Sequence, residues 1–157
     1  MSERTPPLAA ETEAIRKAYA ALNRNDIAGF VQVFDPQIER IERIETADFP
    51  QGRTYHGLAA VTAHVAEGRG TWAEGGCEPQ RFIVAPPDAP PGAPPGAADR
   101  LIVFVHVRVR LKHETQWREG RTVDVFTFRN GKAIQFHTFA DEREALEWAG
   151  VKARNEG

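Results

Sequence analysis

The stretch Arg121-Thr122-Val123-Asp124-Val125-Phe126-Thr127-Phe128-Arg129-Asn130-Gly131-Lys132-Ala133-Ile134-Gln135-Phe136-His137-Thr138-Phe139 decides the fold. Asn130-Gly131 is a strong two-residue hairpin signal, because both residues tolerate the positive φ that a tight turn demands. The flanking segments are rich in Val, Phe and Thr, which predicts strands over 121–128 and 132–139. Just upstream, Leu101-Ile102-Val103-Phe104-Val105-His106-Val107-Arg108-Val109-Arg110-Leu111 is the strongest strand pattern in the chain. Its valines share one face, while Phe104, His106, Arg108 and Arg110 share the other. A short strand is expected over 81–84. Between it and 101–111 runs the segment 85–98, which holds six of the eleven prolines and reads as an extended, solvated hairpin loop.

The first half of the chain has a different period. Ile15, Ala18, Tyr19 and Leu22 recur at helical spacing, and a second stripe of Ile27, Phe30, Val31 and Phe34 follows the capping candidates Asn25-Asp26. Pro36 stops helical continuation. Ile38, Ile41 and Ile44 fall every third residue, which fits neither a simple strand nor a helical stripe, so a bulged strand is expected over 38–45. Residues 48–56 read as a loop. Leu58, Val61 and Val65 mark a third helix that ends near Gly68-Arg69-Gly70, and Asp141-x-x-Glu144 opens a short last helix through Leu146 and Trp148. Helices precede the proline-rich segment and strands follow it, so neither half has a complete core without the other. The expectation is one α+β domain over 11–150, with flexible ends over 1–10 and 151–157. Its curved antiparallel sheet carries three helices from the N-terminal half on its concave face, with a short C-terminal helix.

Composition narrows the function classes. The chain has 157 residues, a formal net charge of −2 and 41% hydrophobic residues, as an ordinary globular domain does. A near-neutral balance argues against a general nucleic-acid binder. Cys77 is the single cysteine, so no disulfide framework or thiolate cluster is expected. The first residues lack an apolar signal core, and no run approaches the ~20 apolar residues of a membrane span, so a cytoplasmic protein without a membrane partner is expected. His56 and His64 lack metal-site spacing. There is neither a Gly-rich phosphate loop nor a G-x-S-x-G, so no metal and no cofactor are expected. Arg outnumbers Lys sixteen to four, a skew that suits carboxylate or phosphate contacts but also follows from nucleotide composition.

The order of these elements resembles a SnoaL-like protein of the ketosteroid-isomerase and nuclear-transport-factor-two superfamily. The residues carrying the resemblance are Ala20-Ala21-Leu22-Asn23-Arg24-Asn25-Asp26 with Phe30 to Phe34, Thr54-Tyr55-His56-Gly57, and Asp124-Val125-Phe126-Thr127-Phe128-Arg129-Asn130-Gly131-Lys132. It spans roughly 11–150. The resemblance implies a cone of bent sheet, a pocket between sheet and helices, a small-molecule ligand and a homodimer. The superfamily holds isomerases, cyclases, epoxide hydrolases, dehydratases and members without chemistry, so function must come from the site.

Asp124 lies between two valines, where an ionised carboxylate is costly unless paired, and a protonated one is favoured otherwise. By resemblance it falls where ketosteroid isomerases keep a protonated aspartic acid. The other reading is a structural carboxylate paired with Arg108 or Arg110. A hairpin turning near Glu114 pairs Phe104 with Asp124 and His106 with Thr122, which sets His106 one diagonal step from Asp124 on the same face. His106 then reads as a general base oriented by Asp124, or as a satisfied core or interface histidine. Glu42 stands at the distance from Phe34 where the isomerases keep their base, yet it also belongs to a charge run with Glu39, Arg40, Arg43 and Glu45. The isomerase tyrosine of the first helix aligns with Ala18, leaving Tyr19 one residue off. Thr138 occupies the place of the cyclase acid. Arg108 and Arg110 are candidate carboxylate receivers, and Tyr19, Tyr55, Trp72, Phe126 and Thr138 are candidate pocket residues. Two functions compete: a pocket protein doing acid/base chemistry on a hydrophobic carbonyl- or carboxylate-bearing compound, and a non-catalytic binding or dimerisation module.

Overall fold

The computed structural model describes residues 8–85 and 99–151. Beyond Ala85, the proline-rich loop expected over 85–98 lies outside the described residues, as do residues 1–7 and 152–157 of the expected flexible ends. The elements in chain order are α1 (Ala9–Asn23), α2 (Ile27–Val31), β1 (Phe34–Arg43), β2 (Arg53–His56), α3 (Leu58–Arg69), β3 (Trp72–Val84), β4 (Asp99–Leu111), β5 (Arg118–Arg129), β6 (Lys132–Phe139) and α4 (Glu142–Ala149). The strands form one six-stranded sheet in the order β2-β1-β6-β5-β4-β3. The predicted Asn130-Gly131 turn is present, with φ of 54° and 80°, and joins β5 to β6 as antiparallel neighbours.

Four features of the elements depart from the sequence expectation. The sheet is mixed rather than purely antiparallel: β1 runs parallel to β6, because the chain returns to β1's edge only after β3, β4 and β5 have been laid down. Phe34 starts β1 instead of ending α2, and Arg53–His56 is an edge strand paired to β1 where a loop was expected. Strand β3 begins at Trp72, well before the expected 81, because it is broken by register shifts that disguise its alternation. At one of them Gly75 adopts φ +99°, and a Cβ there would stand 2.0 Å from the Arg108 carbonyl oxygen, so only glycine fits. The expected irregularity of β1 is present as a register shift between Phe34 and Glu39. Bulges of this kind bend a sheet, and they lie in β1 and β3, towards its two edges.

Two apolar clusters sandwich the sheet. On the concave side Ile15, Tyr19, Leu22, Phe30 and Val61 of α1–α3 pack on Ile38, Leu101, Val103, Val105, Phe126, Phe128 and Phe136. On the other side Ala145 and Ala149 of α4 cover Ile102, Val123, Val125 and Phe139, with Phe104 and Trp148 at the margin. Asp26 caps α2 by accepting from the Gly29 N–H (3.0 Å), and Asp141 caps α4 by accepting from Arg143 and Glu144.

The β4–β5 register is the consequential correction. Val103 pairs with Asp124, Phe104 with Val123, and His106 with Arg121, one residue away from the expected pairing. The hairpin turns one half-residue earlier than Glu114 alone implied, tightened by the Glu114 N–H to Leu111 carbonyl bond of 3.0 Å. Side chains alternate along a strand, so this slip moves Asp124 to the valine face of β4 and leaves His106 on the opposite face.

Candidate functional site

Between the concave face and the helices lies a cavity of ≈ 360 Å³. Helix α1 contributes Tyr19 and Leu22, β1 contributes Arg40 and Glu42, and β2 contributes Arg53. Helix α3 adds His64 and Val65, β3 adds Trp72 and Cys77, β5 adds Thr122 and Asp124, and β6 adds Phe136 and Thr138. Two sets of bonds fix the helical walls of the cavity. Asn23 at the end of α1 bonds both the N–H and the carbonyl of Cys77, each at 2.8 Å, and Arg69 at the end of α3 bonds the Leu22 and Asn23 carbonyls.

At the cavity floor Asp124 is 5% exposed and Tyr19 2%. The Tyr19 hydroxyl donates a short hydrogen bond to Asp124 Oδ2, and Thr138 Oγ1 donates to Oδ1 at 2.6 Å. Burial pushes the Asp124 carboxyl up; the charge of Arg40 and the bonds from Thr138 and Tyr19 oppose that push without overcoming it. Burial, and then the negative charge of Asp124, raise the Tyr19 phenol well above its ordinary value. Both shifts run toward the protonated form. A protonated Asp124 in contact with the Tyr19 hydroxyl shares one proton with it and keeps a second for a ligand oxygen.

Above this pair stands a second cluster around Glu42. Its Oε2 accepts from Arg40 Nη2 (3.3 Å) and contacts His64 Nε2 (3.2 Å), while Arg53 Nη2 forms an ion pair with Oε1 at 2.9 Å. Burial raises the Glu42 carboxyl, but Arg40, His64 and Arg53 together bring it below its ordinary value. Arg40 is buried, with its guanidinium 3.9 Å over the Phe136 ring and a bond to the Phe136 carbonyl (3.2 Å). Desolvation lowers its pKa, and the charges of Asp124 and Glu42 counteract the shift. Cys77 has its thiol pushed up to about 12 by burial and by Asp124, so it is present as an unreactive thiol.

The predicted residues divide cleanly. Asp124, Glu42, Tyr19, Trp72 and Thr138 line the cavity. Phe126 lies just behind them, stacked on Phe136 (centroids 4.6 Å apart) and edge-on to Tyr19. Tyr55 stacks on His64 at 4.0 Å and supports that ring from outside the lining. His106, Arg108 and Arg110 are not brought to the cavity. His106 Nε2 contacts Glu119 at 2.6 Å, the Arg108 guanidinium lies 3.9 Å over Trp117, and Arg110 bonds Glu74 and the Glu114 carbonyl. Asp124 is therefore not paired with either arginine.

Sequence reasoning missed Arg40, Arg53 and His64. The first was hidden in an apparently solvated charge run, although Ile38, Arg40 and Glu42 do alternate as one strand face. Although Tyr19 is offset by one residue in the resemblance, its hydroxyl reaches Asp124. Among the described residues no group of three or more His, Cys, Asp or Glu could hold a metal ion. None of their helices is long and apolar enough to cross a membrane.

With this geometry in view, the similarities to known proteins are informative. The model of the SnoaL-like domain family matches residues 15–136. No curated protein sequence matches the chain. Among solved structures, an NTF2-like protein of unknown function from Burkholderia pseudomallei K96243 is 22% identical, with a TM-score of 0.65 over 91% of this chain and 99% of that one. TerC, co-crystallised with polyporic acid, is 21% identical, with a TM-score of 0.64 over 91% of this chain and 100% of that one. A putative SnoaL-like polyketide cyclase from Jannaschia sp. CCS1 is 11% identical, with a TM-score of 0.66 over 98% of this chain and 100% of that one. At these identities the likeness is one of fold.

Proposed function

The chain belongs to the SnoaL-like domain family, and on that footing we propose that it binds a hydrophobic carbonyl-bearing small molecule and performs cofactor-independent acid/base chemistry of the isomerase or cyclase type. The observation that carries this reading is the Tyr19–Asp124–Thr138 cluster at the floor of the cavity. A ligand carbonyl placed there accepts the spare hydrogen bond of the Tyr19–Asp124 pair. As a proton leaves the adjacent carbon, the oxygen gains negative charge and that bond strengthens, in surroundings where water does not screen it. Glu42, in register with Thr138 and so one strand beyond it from Asp124, is the carboxylate that takes the proton. Leu22, Phe30, Val65, Trp72 and Phe136 supply the apolar walls. That a neighbouring structure holds polyporic acid supports a flat, oxygenated ligand for this chain.

One observation favours a second reading, a binding module without turnover. Glu42 is engaged by Arg40, Arg53 and His64, and its lowered pKa makes it a weak base. Exchange of the α-protons of 2-tetralone in D2O, followed by proton NMR, separates the two without knowledge of the natural substrate. Acid/base chemistry predicts accelerated exchange that falls about 100-fold in Tyr19→Phe, the range for removal of one oxyanion donor. Binding of 2-tetralone without acceleration establishes the module. Neither binding nor exchange refutes both. The remaining expectation, a homodimer, belongs to this proposal and is read by sedimentation.

A further inference from the structure

The charges around the cavity point to a second, anionic end of the ligand, an inference that rests on the carbonyl-site reading above. Three arginines, Arg40, Arg53 and Arg69, and His64 line the cavity against two carboxylates, Glu42 and Asp124. Even with both carboxylates counted as ionised, the three arginines leave one positive charge in excess. Arg69 is committed to the Leu22 and Asn23 carbonyls, and Arg40 is buried against Phe136. The single charge of Glu42 is thus shared between Arg40 and Arg53.

Arg53 is the cation with capacity left over. Its side chain is 39% exposed. Its one ion pair uses Nη2, and its other nitrogens make no hydrogen bond within the described residues. The guanidinium lies 4.7 Å over the Phe49 ring, which fixes its plane and leaves its edge free for a forked contact. With Glu42 it also lines a second hollow of ≈ 310 Å³, shared with Ile44, Thr46, Asp48 and Phe49. That hollow adds a carboxylate and no further cation, whereas the cavity adds Arg40, Arg69 and His64, which makes the cavity side of Arg53 the receiving face.

We propose that Arg53 is the specificity-determining residue of the site: it receives a carboxylate on an otherwise apolar, planar ligand whose oxygenated far end reaches Tyr19 and Thr138. The edge of β2 positions the charge at the mouth, and the walls formed by Leu22, Val65, Trp72 and Phe136 hold the rings between the two polar ends.

Isothermal titration of the full chain with 2-naphthoate and its neutral isostere 2-naphthamide tests this. The wild type binds 2-naphthoate at least tenfold more tightly than 2-naphthamide. Arg53→Gln removes that preference by weakening 2-naphthoate at least tenfold while 2-naphthamide stays within twofold. Arg53 is partly exposed, so the variant is expected to fold, and circular dichroism checks it. Equal binding of the two probes to the wild type, or an equal loss of both in Arg53→Gln, overturns the inference while leaving the carbonyl-site reading intact. Binding of neither probe overturns both.

Discussion

Lowering the pH should destabilise this protein through a residue outside the cavity. His137, on β6, packs against Trp148 of α4 at 4.1 Å and Phe139 at 6.0 Å, and its buried Nδ1 has no hydrogen-bond partner among the described residues. Burial, and then the nearby charges of Arg43 and Arg40, lower its pKa from 6.5 to about 3. The folded state therefore binds the proton less readily than the unfolded chain does. Stability is complete above the unfolded value, falls as the pH drops below it, and continues to fall until the folded value is passed. At pH 5 the unfolded chain holds the imidazole proton and the folded chain does not, which costs about 2 kcal/mol relative to pH 8. That figure is insensitive to the folded value, which lies well below pH 5, and is set by the unfolded imidazole. The assay is urea denaturation of the wild type and His137→Phe at pH 8, 6.5 and 5, read by tryptophan fluorescence. The phenyl ring changes packing by a constant amount, so the comparison lies in the slope. The wild type should lose about 2 kcal/mol more than the variant between pH 8 and pH 5, most of it below pH 6.5. Parallel pH dependences of the two proteins would show that His137 is not buried neutral under α4, and would refute the reasoning.

Three other substitutions follow from the geometry. Arg40→Met leaves Glu42 without its buried cation and should cost about 3–5 kcal/mol in urea denaturation, since stranding a charge by removing its buried partner is far more costly than losing a surface pair. Gly75→Ala sets a Cβ against the Arg108 carbonyl at positive φ and should cost about 2 kcal/mol or more, measured the same way. His106→Ala removes only a half-exposed contact with Glu119, so stability should change by less than about 1 kcal/mol and 2-tetralone exchange should not change at all.

Much of the fold was legible because the sequence states it locally. Asn130-Gly131 specifies its hairpin by the positive φ it permits, and the stripe Ile15, Ala18, Tyr19, Leu22 specifies the buried face of α1 by spacing alone. Asp124 was legible as a problem: an acid among valines must be paired or protonated, and here it is both hydrogen-bonded and raised. The partners were not legible, for physical reasons. Register along β4 and β5 is fixed by where the six-residue connection around Glu114 turns, and a slip of one residue exchanges the faces, which is why His106 was paired with Asp124 on paper and with Glu119 in space. Arg40 was masked because a buried arginine in a strand and a solvated one in a charge run have the same neighbours in sequence. They differ only in what the helices bring over them. Arg53 and His64 meet Glu42 through β2 and α3, contacts that no local pattern encodes.

The central claim is that a ligand carbonyl accepts its hydrogen bond from the Tyr19–Asp124 pair. Infrared difference spectroscopy of 2-tetralone carrying a 13C carbonyl, bound to the wild type and to Tyr19→Phe, reads that bond directly. The claim predicts a bound carbonyl stretch displaced below its value in water, and a return to higher wavenumber in Tyr19→Phe. A bound stretch at or above the water value in the wild type, or the same displacement in both proteins, would contradict it.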